Sequence, residues 1–303
     1  MTLGVQGRGH LAMLVFSAAV AGSFALGGLA APHIDPAVLN AVRFIVAATL
    51  LWAVTFAVGG VRPGAFAAPW RYVVLAGLYA LYFVTMFEGL KTAEPVSMAA
   101  VFTLNPALAA VFGYFLLKQV TTGRMAFAIV VGGVGALWVI FRGDPAVAMA
   151  FEIGQGEAIY FWGCVAHALY APLLRKFGRG EPALVFNACI LTAGSLMLGV
   201  WAFPAILGTD WAALPGIVWA TIFYTACFAT ALSLAMVRYA AMCLPAAKVL
   251  AYTYLVPSWV ILWEVMLGQG VPQSLVLPGV GLTALSLLML LKDETGPAKI
   301  RAH

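Results

Sequence analysis

Of the 303 residues in the chain, 64% are hydrophobic and only 9% are charged, far from the quarter-charged composition of soluble domains. Long apolar runs put it in a membrane, and the chain between them is too short for a soluble catalytic domain. The net charge of +5 falls in the connections, so it is not read as a nucleic-acid patch.

A membrane-spanning helix needs about 20 mostly apolar residues. Ten such runs occur, near 11–30, 37–58, 69–90, 96–117, 122–141, 152–174, 183–204, 213–237, 245–267 and 273–291. They predict an all-α integral membrane protein. Arg8 and His10 before the first run invite comparison with a secretory signal peptide. That run continues to Ala31, beyond the usual 7–15 residues, and has no clean small-x-small cleavage site, so it is read as a span.

The second run opens with Asp35-Pro36, an acid suited to cap a helix and a proline suited to its first turn. It contains Arg43. The third run presents Tyr79, Tyr82, Phe83 and Met86 on one face, with Glu88 on the opposite side. A charge inside a membrane costs about 2.5–3.5 kcal/mol on insertion scales and calls for a partner or a wet cavity. Arg43 and Glu88 are therefore expected to form an ion pair between the second and third spans, with an extracellular gate as the alternative.

Met98, Phe102 and Asn105 share a face of the fourth run just before Pro106, which is expected to bend the helix. Gly132, Gly133 and Gly135 in the fifth run should let neighbouring backbones approach. In the sixth, Tyr160, Cys164, His167 and Ala171 align, while Trp162 looks elsewhere. His167 is either a packing residue or a proton-coupling group titrating near neutral pH. The seventh run opens with Glu181-Pro182, a second acid-proline start.

In the ninth run Lys248 is followed at helical spacing by Tyr252, Leu255, Trp259 and Trp263. Its ammonium could hold a substrate carboxylate beside the rings; the alternative is a lysine snorkelling to the surface after Pro245. Pro257 is expected to bend this run as Pro106 bends the fourth, and Gly279 and Gly281 in the tenth match the glycines of the fifth. The candidate substrate-binding residues are Tyr79, Tyr82, Phe83, Met98, Phe102, Asn105, Trp162, His167, Lys248, Tyr252 and Trp259. Arg43, Glu88, Pro106 and Pro257 are the structural or gating candidates. Neither a metal nor a cofactor is expected. The cysteines, Cys164, Cys189, Cys227 and Cys243, lie in apolar surroundings without paired spacing and read as buried small hydrophobes.

The marks recur in order. Asp35-Pro36-Ala37 returns as Glu181-Pro182-Ala183, Pro106 as Pro257, and Gly133-Val134-Gly135 as Gly279-Val280-Gly281. Five spans per copy is an odd number, so the copies face opposite ways. The expected organisation is two inverted five-helix repeats, 1–147 and 148–303, in one membrane domain. Counting alternate connections puts twelve Lys and Arg residues on one side and two, Lys91 and Arg142, on the other. By the positive-inside rule both termini are expected in the cytoplasm.

With Leu104-Asn105-Pro106-Ala107-Leu108, Leu255-Val256-Pro257-Ser258-Trp259 and Arg43-Phe44, the chain resembles the drug/metabolite transporter superfamily, specifically its ten-helix EamA-type exporters. The glutamate that often follows helices four and nine in that family is missing, with Lys118 and Gln269 near its place. The aromatic content and size resemble the YddG-type exporters of aromatic amino acids. The resemblance implies a secondary transporter in a bacterial inner membrane, exporting small amphiphilic molecules by alternating access.

Its partners would then be a small-molecule substrate and the lipid bilayer, with proton coupling open. Amino acids with aromatic or other apolar side chains are the expected substrates, and nucleosides or drugs the alternative. A channel is a different class, distinguished by unsaturable flux. A membrane enzyme needs clustered acids or a Ser–His pair, and the internal acids here are solitary. No Gly-x-x-x-x-Gly-Lys-Ser/Thr loop is present to bind ATP.

Overall fold

The computed structural model describes residues 4–291 apart from 60, 62, 151 and 245. Of the residues used above, Arg62, Pro245, Lys292, Lys299 and Arg301 lie outside the described residues, as do the two ends of the expected repeats. The described residues hold helices and no strand.

The first half contains α1 (Val5–Ala30), α2 (Pro36–Val58), α3 (Trp70–Gly89), α4 (Pro95–Phe102), α5 (Asn105–Leu117), α6 (Gly123–Ile140) and the short α7 (Pro145–Met149). The second contains α8 (Gln155–Phe177), α9 (Ala183–Trp201), the short α10 (Phe203–Gly208), α11 (Gly216–Ala226), α12 (Ser233–Cys243), α13 (Ala246–Ala251), α14 (Val256–Met266) and α15 (Leu277–Leu291). A π-helical turn, Cys227–Leu232, joins α11 to α12, and a 3-10 turn, Tyr252–Leu255, joins α13 to α14.

Among the described residues eight helices are long and apolar enough to cross a membrane. The other two expected spans fall on α8 and on residues 246–266. The first is long enough but carries Gln155, Glu157, His167, Arg175 and Lys176. The second is divided by its 3-10 turn, so no single α-helix there reaches a span's length.

Local chemistry explains the starts and breaks. Asp35 caps α2, its Oδ1 accepting from the Ala37 and Val38 backbone N–H groups at 2.8 and 3.2 Å. Gly59 closes the same helix in the left-handed region, φ 73°, where a side chain would be strained. Glu181 does not repeat the Asp35 cap. Its side chain is drawn away to Arg71, and Pro182 precedes α9 without a side-chain cap. Both central prolines sit at the start of a new helix rather than in a bent one. The chain turns between Phe102 and Asn105 before Pro106, and through Tyr252–Leu255 before Pro257.

Packing follows small residues. α3 lies on α8, α2 on α9, α6 on α15, and α1 on α11, α12 and α14. α4 and α5 lie on α8 and on α6, while α13, the 3-10 turn and α14 lie on α15; α4 also meets α14, α3 meets α9 and α11 meets α2. At the α6–α15 seam a methyl on Gly135 would stand 2.6 Å from the Gly279 carbonyl oxygen, and one on Gly279 would stand 2.6 Å from that of Gly135. Gly133 and Gly281, expected to share this role, face open space.

The surface is apolar where that of a soluble protein would be charged. Phe56, Phe115, Leu196, Val200 and Trp201 are each at least 66% exposed, while Asn40, Arg43, Arg71, Asn105 and Glu157 are buried. An apolar surface of this extent suits lipid, and the few buried polar groups sit within an otherwise apolar core.

Candidate functional site

The face of α3 carrying Tyr79, Tyr82 and Phe83 meets α2, the α4–α5 junction and α8, and there the rings pack directly against one another, a chamber filled by its own walls. Tyr79 stacks on Tyr170 at 5.2 Å between ring centroids and meets Phe83 edge-on at 4.7 Å. Tyr82 lies 4.5 Å from His167 and 4.6 Å from Phe83. Its hydroxyl accepts a hydrogen bond of 3.0 Å from the Tyr160 hydroxyl. Phe102 adds a wall 6.0 Å from His167.

Arg43 enters this chamber from α2 with 0% exposure. Its Cζ lies 3.7 Å from the centroid of the Phe83 ring, a cation–π contact. Nη2 donates to Thr230 Oγ1 at 3.0 Å, and Thr230 in turn donates to the Thr225 carbonyl at 2.9 Å. Nε and Nη1 are buried without a hydrogen-bond partner. The expected Arg43–Glu88 pair does not form. Glu88 pairs instead with Lys91 at 2.8 Å, with both side chains at least a third exposed. The cause is helical phase: Phe83 faces Arg43, and Glu88 lies five residues on, about 140° further round the helix.

The α4–α5 break adds polar groups. Asn105 Nδ2 donates to the Phe102 carbonyl at 3.0 Å, spanning the interruption, while its Oδ1 is buried without a partner. Asn40, nearly one turn before Arg43 on α2, donates to the Pro36 carbonyl at 2.8 Å and also keeps a buried, unpartnered Oδ1. Donors and acceptors with unused capacity are therefore shut among aromatic rings. Such groups are costly to bury, and each calls for an explanation.

Of the sequence candidates, Tyr79, Tyr82, Phe83, Phe102, Asn105 and His167 come together here. Met98 is fully buried and packs on Gly89 as core. Lys248, Tyr252 and Trp259 gather elsewhere, against α1. The Tyr252 hydroxyl hydrogen-bonds His10 Nδ1 at 2.8 Å, and Trp259 Nε1 donates to Ser17 Oγ at 3.0 Å. The 3-10 turn breaks the helical stripe expected to align them with Lys248, which is half-buried close to His10. Trp162 is 66% exposed, on the face of α8 opposite Tyr160 and Cys164, and takes no part in the chamber.

Two residues escaped the sequence reading. Thr230 depends on the π-turn for its position, which no motif announced. Glu157, 5% exposed, accepts from Ser97 Oγ at 2.7 Å. As an acid in the first turn of α8 it reads as a solvated end group. The signal was the adjacent Gly156, where a methyl would stand 2.6 Å from Ala93 Cβ, a mark of close packing. Among the described residues no group of three His, Cys, Asp or Glu could hold a metal ion.

Comparisons with known proteins agree on the class. Residues 7–141 match the model of the EamA-like transporter family. A curated relative, the uncharacterized transporter YyaM of Bacillus subtilis (strain 168), is 28% identical over 74% of each chain. A solved crystal structure superposes with a TM-score of 0.64 at 19% identity, covering 95% of this chain and 98% of that one, which shows a shared fold. The protein is a multi-pass membrane transporter rather than an enzyme, and its residues 7–141 are similar to the EamA-like transporter family.

Proposed function

We propose that the protein exports small amphiphilic metabolites, amino acids with aromatic or other apolar side chains foremost, by alternating access across a bacterial inner membrane. The observation that carries this reading is the packed aromatic cluster at the α4–α5 break, with the unused polar groups of Arg43 and Asn105 buried at it. Rings and a few polar atoms buried between helices are the groups with which small-molecule sites are lined, and the rocking proposed below would part them.

The architecture proposed is ten spans in two inverted halves, 1–147 and 148–303, with both termini in the cytoplasm. Exchange each helix for its counterpart, so that α1 becomes α8, α2 becomes α9, α3 becomes α11–α12, α4–α5 becomes α13–α14, and α6 becomes α15. The α3–α8 contact is then answered by α12 on α1, and α3–α9 by α11 on α2. In the same way α5–α8 is answered by α14 on α1, while α2–α9 and α6–α15 map onto themselves. The family match ending at residue 141, close to the first half's end, also supports the division. A paired break in matching helices suits rocking of one half against the other around a central site.

Counterflow in liposomes with labelled amino acids and nucleosides is the test. Saturable exchange of phenylalanine, tyrosine or leucine is the expected result. Exchange of nucleosides alone would overturn the substrate class, and unsaturable conductance would make the protein a pore. Unchanged pH dependence of transport in His167→Asn would remove that residue from any proton coupling.

A further inference from the structure

The Arg43 guanidinium is the most exacting group in the chamber. It carries five N–H donors, and Thr230 accepts from one. Thr230 bonds through Nη2, which belongs to both two-donor edges of the guanidinium plane. Whichever Nη2 proton Thr230 takes, the other edge keeps two parallel N–H groups, and Nε and Nη1 are both unpartnered. Two parallel donors on a planar cation match the two oxygens of a carboxylate.

The surroundings supply no carboxylate of their own. Glu88 is engaged by Lys91, and the buried Glu157 accepts from Ser97. The rest of the chamber is suited to an apolar body. Phe83 lies under the cation, Tyr79 stands edge-on to Phe83, and Phe102 and His167 close the far side through Tyr82. Among the described residues no Asp or Glu bonds to any of these rings or to Arg43, so the acceptor left for a ligand's ammonium is the neutral Asn105 Oδ1, weaker than a carboxylate.

We propose that Arg43 is the carboxylate-anchoring residue of the transport site, and that the preferred ligand is a small monocarboxylate with an aromatic or branched apolar body. The carboxylate is the group recognised, and the α-ammonium contributes little. This inference rests on the transport reading above and narrows its substrate class. It also assigns Arg43 a ligand where the sequence suggested a protein partner. Once the packed rings part to admit it, an anion meets donors that are already desolvated, so its charge-assisted bonds form without stripping water from the guanidinium.

The test uses the full chain in proteoliposomes, with labelled L-phenylalanine exchanging against unlabelled competitors. Phenylalanine and 3-phenylpropionate should compete comparably, within about threefold, and phenylalaninamide should compete at least about 30-fold more weakly, as expected for loss of a charge-assisted bond. In Arg43→Gln the acids should lose about 30-fold in apparent affinity, with Arg43→Lys intermediate because a point charge replaces the fork. Melting curves of each variant report whether it folds, and the competitor series on the unaltered chain stands whatever they show.

Equal competition by amide and acid would overturn the inference, as would unchanged apparent affinity in a folded Arg43→Gln. Strong competition by the amide together with failure of 3-phenylpropionate would assign recognition to the ammonium instead, and would also overturn it. Saturable exchange of nucleosides with no response to any acid would sink the carboxylate site while leaving a transporter. The absence of saturable flux for every compound would sink the transport reading and this inference together.

Discussion

Arg43 and Arg71 head the largest fully buried side chains among the described residues, at 0% and 1% exposure, and the protein treats them in opposite ways. Arg71, in the first turn of α3, donates to the carbonyls of Ala67, Ala68 and Phe177 and to Glu181 Oε1 at 2.7 Å. It ties α3 to the connection between α8 and α9. Arg43 has a threonine hydroxyl and a phenyl ring. Equal burial thus hides unequal satisfaction. The first arginine is a completed joint, and the second has bonding capacity that no protein group uses.

The largest effect expected from breaking this contrast is at the joint. Arg71→Ala strands the Glu181 carboxylate inside the protein and should cost about 3 kcal/mol or more, read as a lower melting temperature in detergent. Acid should have a related effect. Burial pushes the Glu181 carboxyl up, but the Arg179 backbone N–H and the Arg71 guanidinium outweigh it and hold the group below the usual carboxylate range. Its contribution to stability is therefore complete above about pH 4.3 and fades as the pH falls through its lowered value. Melting temperature followed against pH should show that acid limb in the unaltered chain and a shallower one in Glu181→Gln.

Asp35, the sequence counterpart of Glu181, has no arginine to meet and caps its own helix. Asp35→Ala should cost about 1 kcal/mol, less than the loss of Arg71, and unfolding measurements in the same detergent compare the two directly. The smallest effect on stability is expected at Arg43, and with the other sign. Arg43→Met removes a cation that no carboxylate compensates, so the melting temperature should stay level or rise by the equivalent of about 1 kcal/mol. A large loss of stability there would make Arg43 a second structural joint and erase the contrast.

The sequence made the elements legible more readily than their partnerships. Apolar runs located every membrane-length helix, because a span must be both long and apolar to cross lipid. The Asp35 cap was visible because donors and acceptor lie within four residues. The breaks before Pro106 and Pro257 were visible as sites of disruption, though each is a restart with the proline in the first turn rather than a bend. Helical phase brought Tyr79, Tyr82 and Phe83 together correctly.

What failed was pairing across long separations. Glu88 was chosen for Arg43 as the nearest acid at similar depth, and depth says nothing about which way a helix is turned. Thr230 is 187 residues away and placed by a π-turn. Glu181 looked like a second cap until an arginine 110 residues earlier claimed it. The Lys248 stripe assumed an unbroken α-helix through Tyr252–Leu255, which the 3-10 turn denies.

The glycine seam between α6 and α15 bears on how such a bundle can move. At Gly135 and Gly279 each backbone presses on the other where a single methyl would collide, so these helices can come no closer. In the proposed rocking of one half against the other, this closest backbone contact is the natural pivot between α6 and α15. An alanine at either position would force the two backbones apart, so a substitution far from Arg43 would be felt across the seam that joins the two halves.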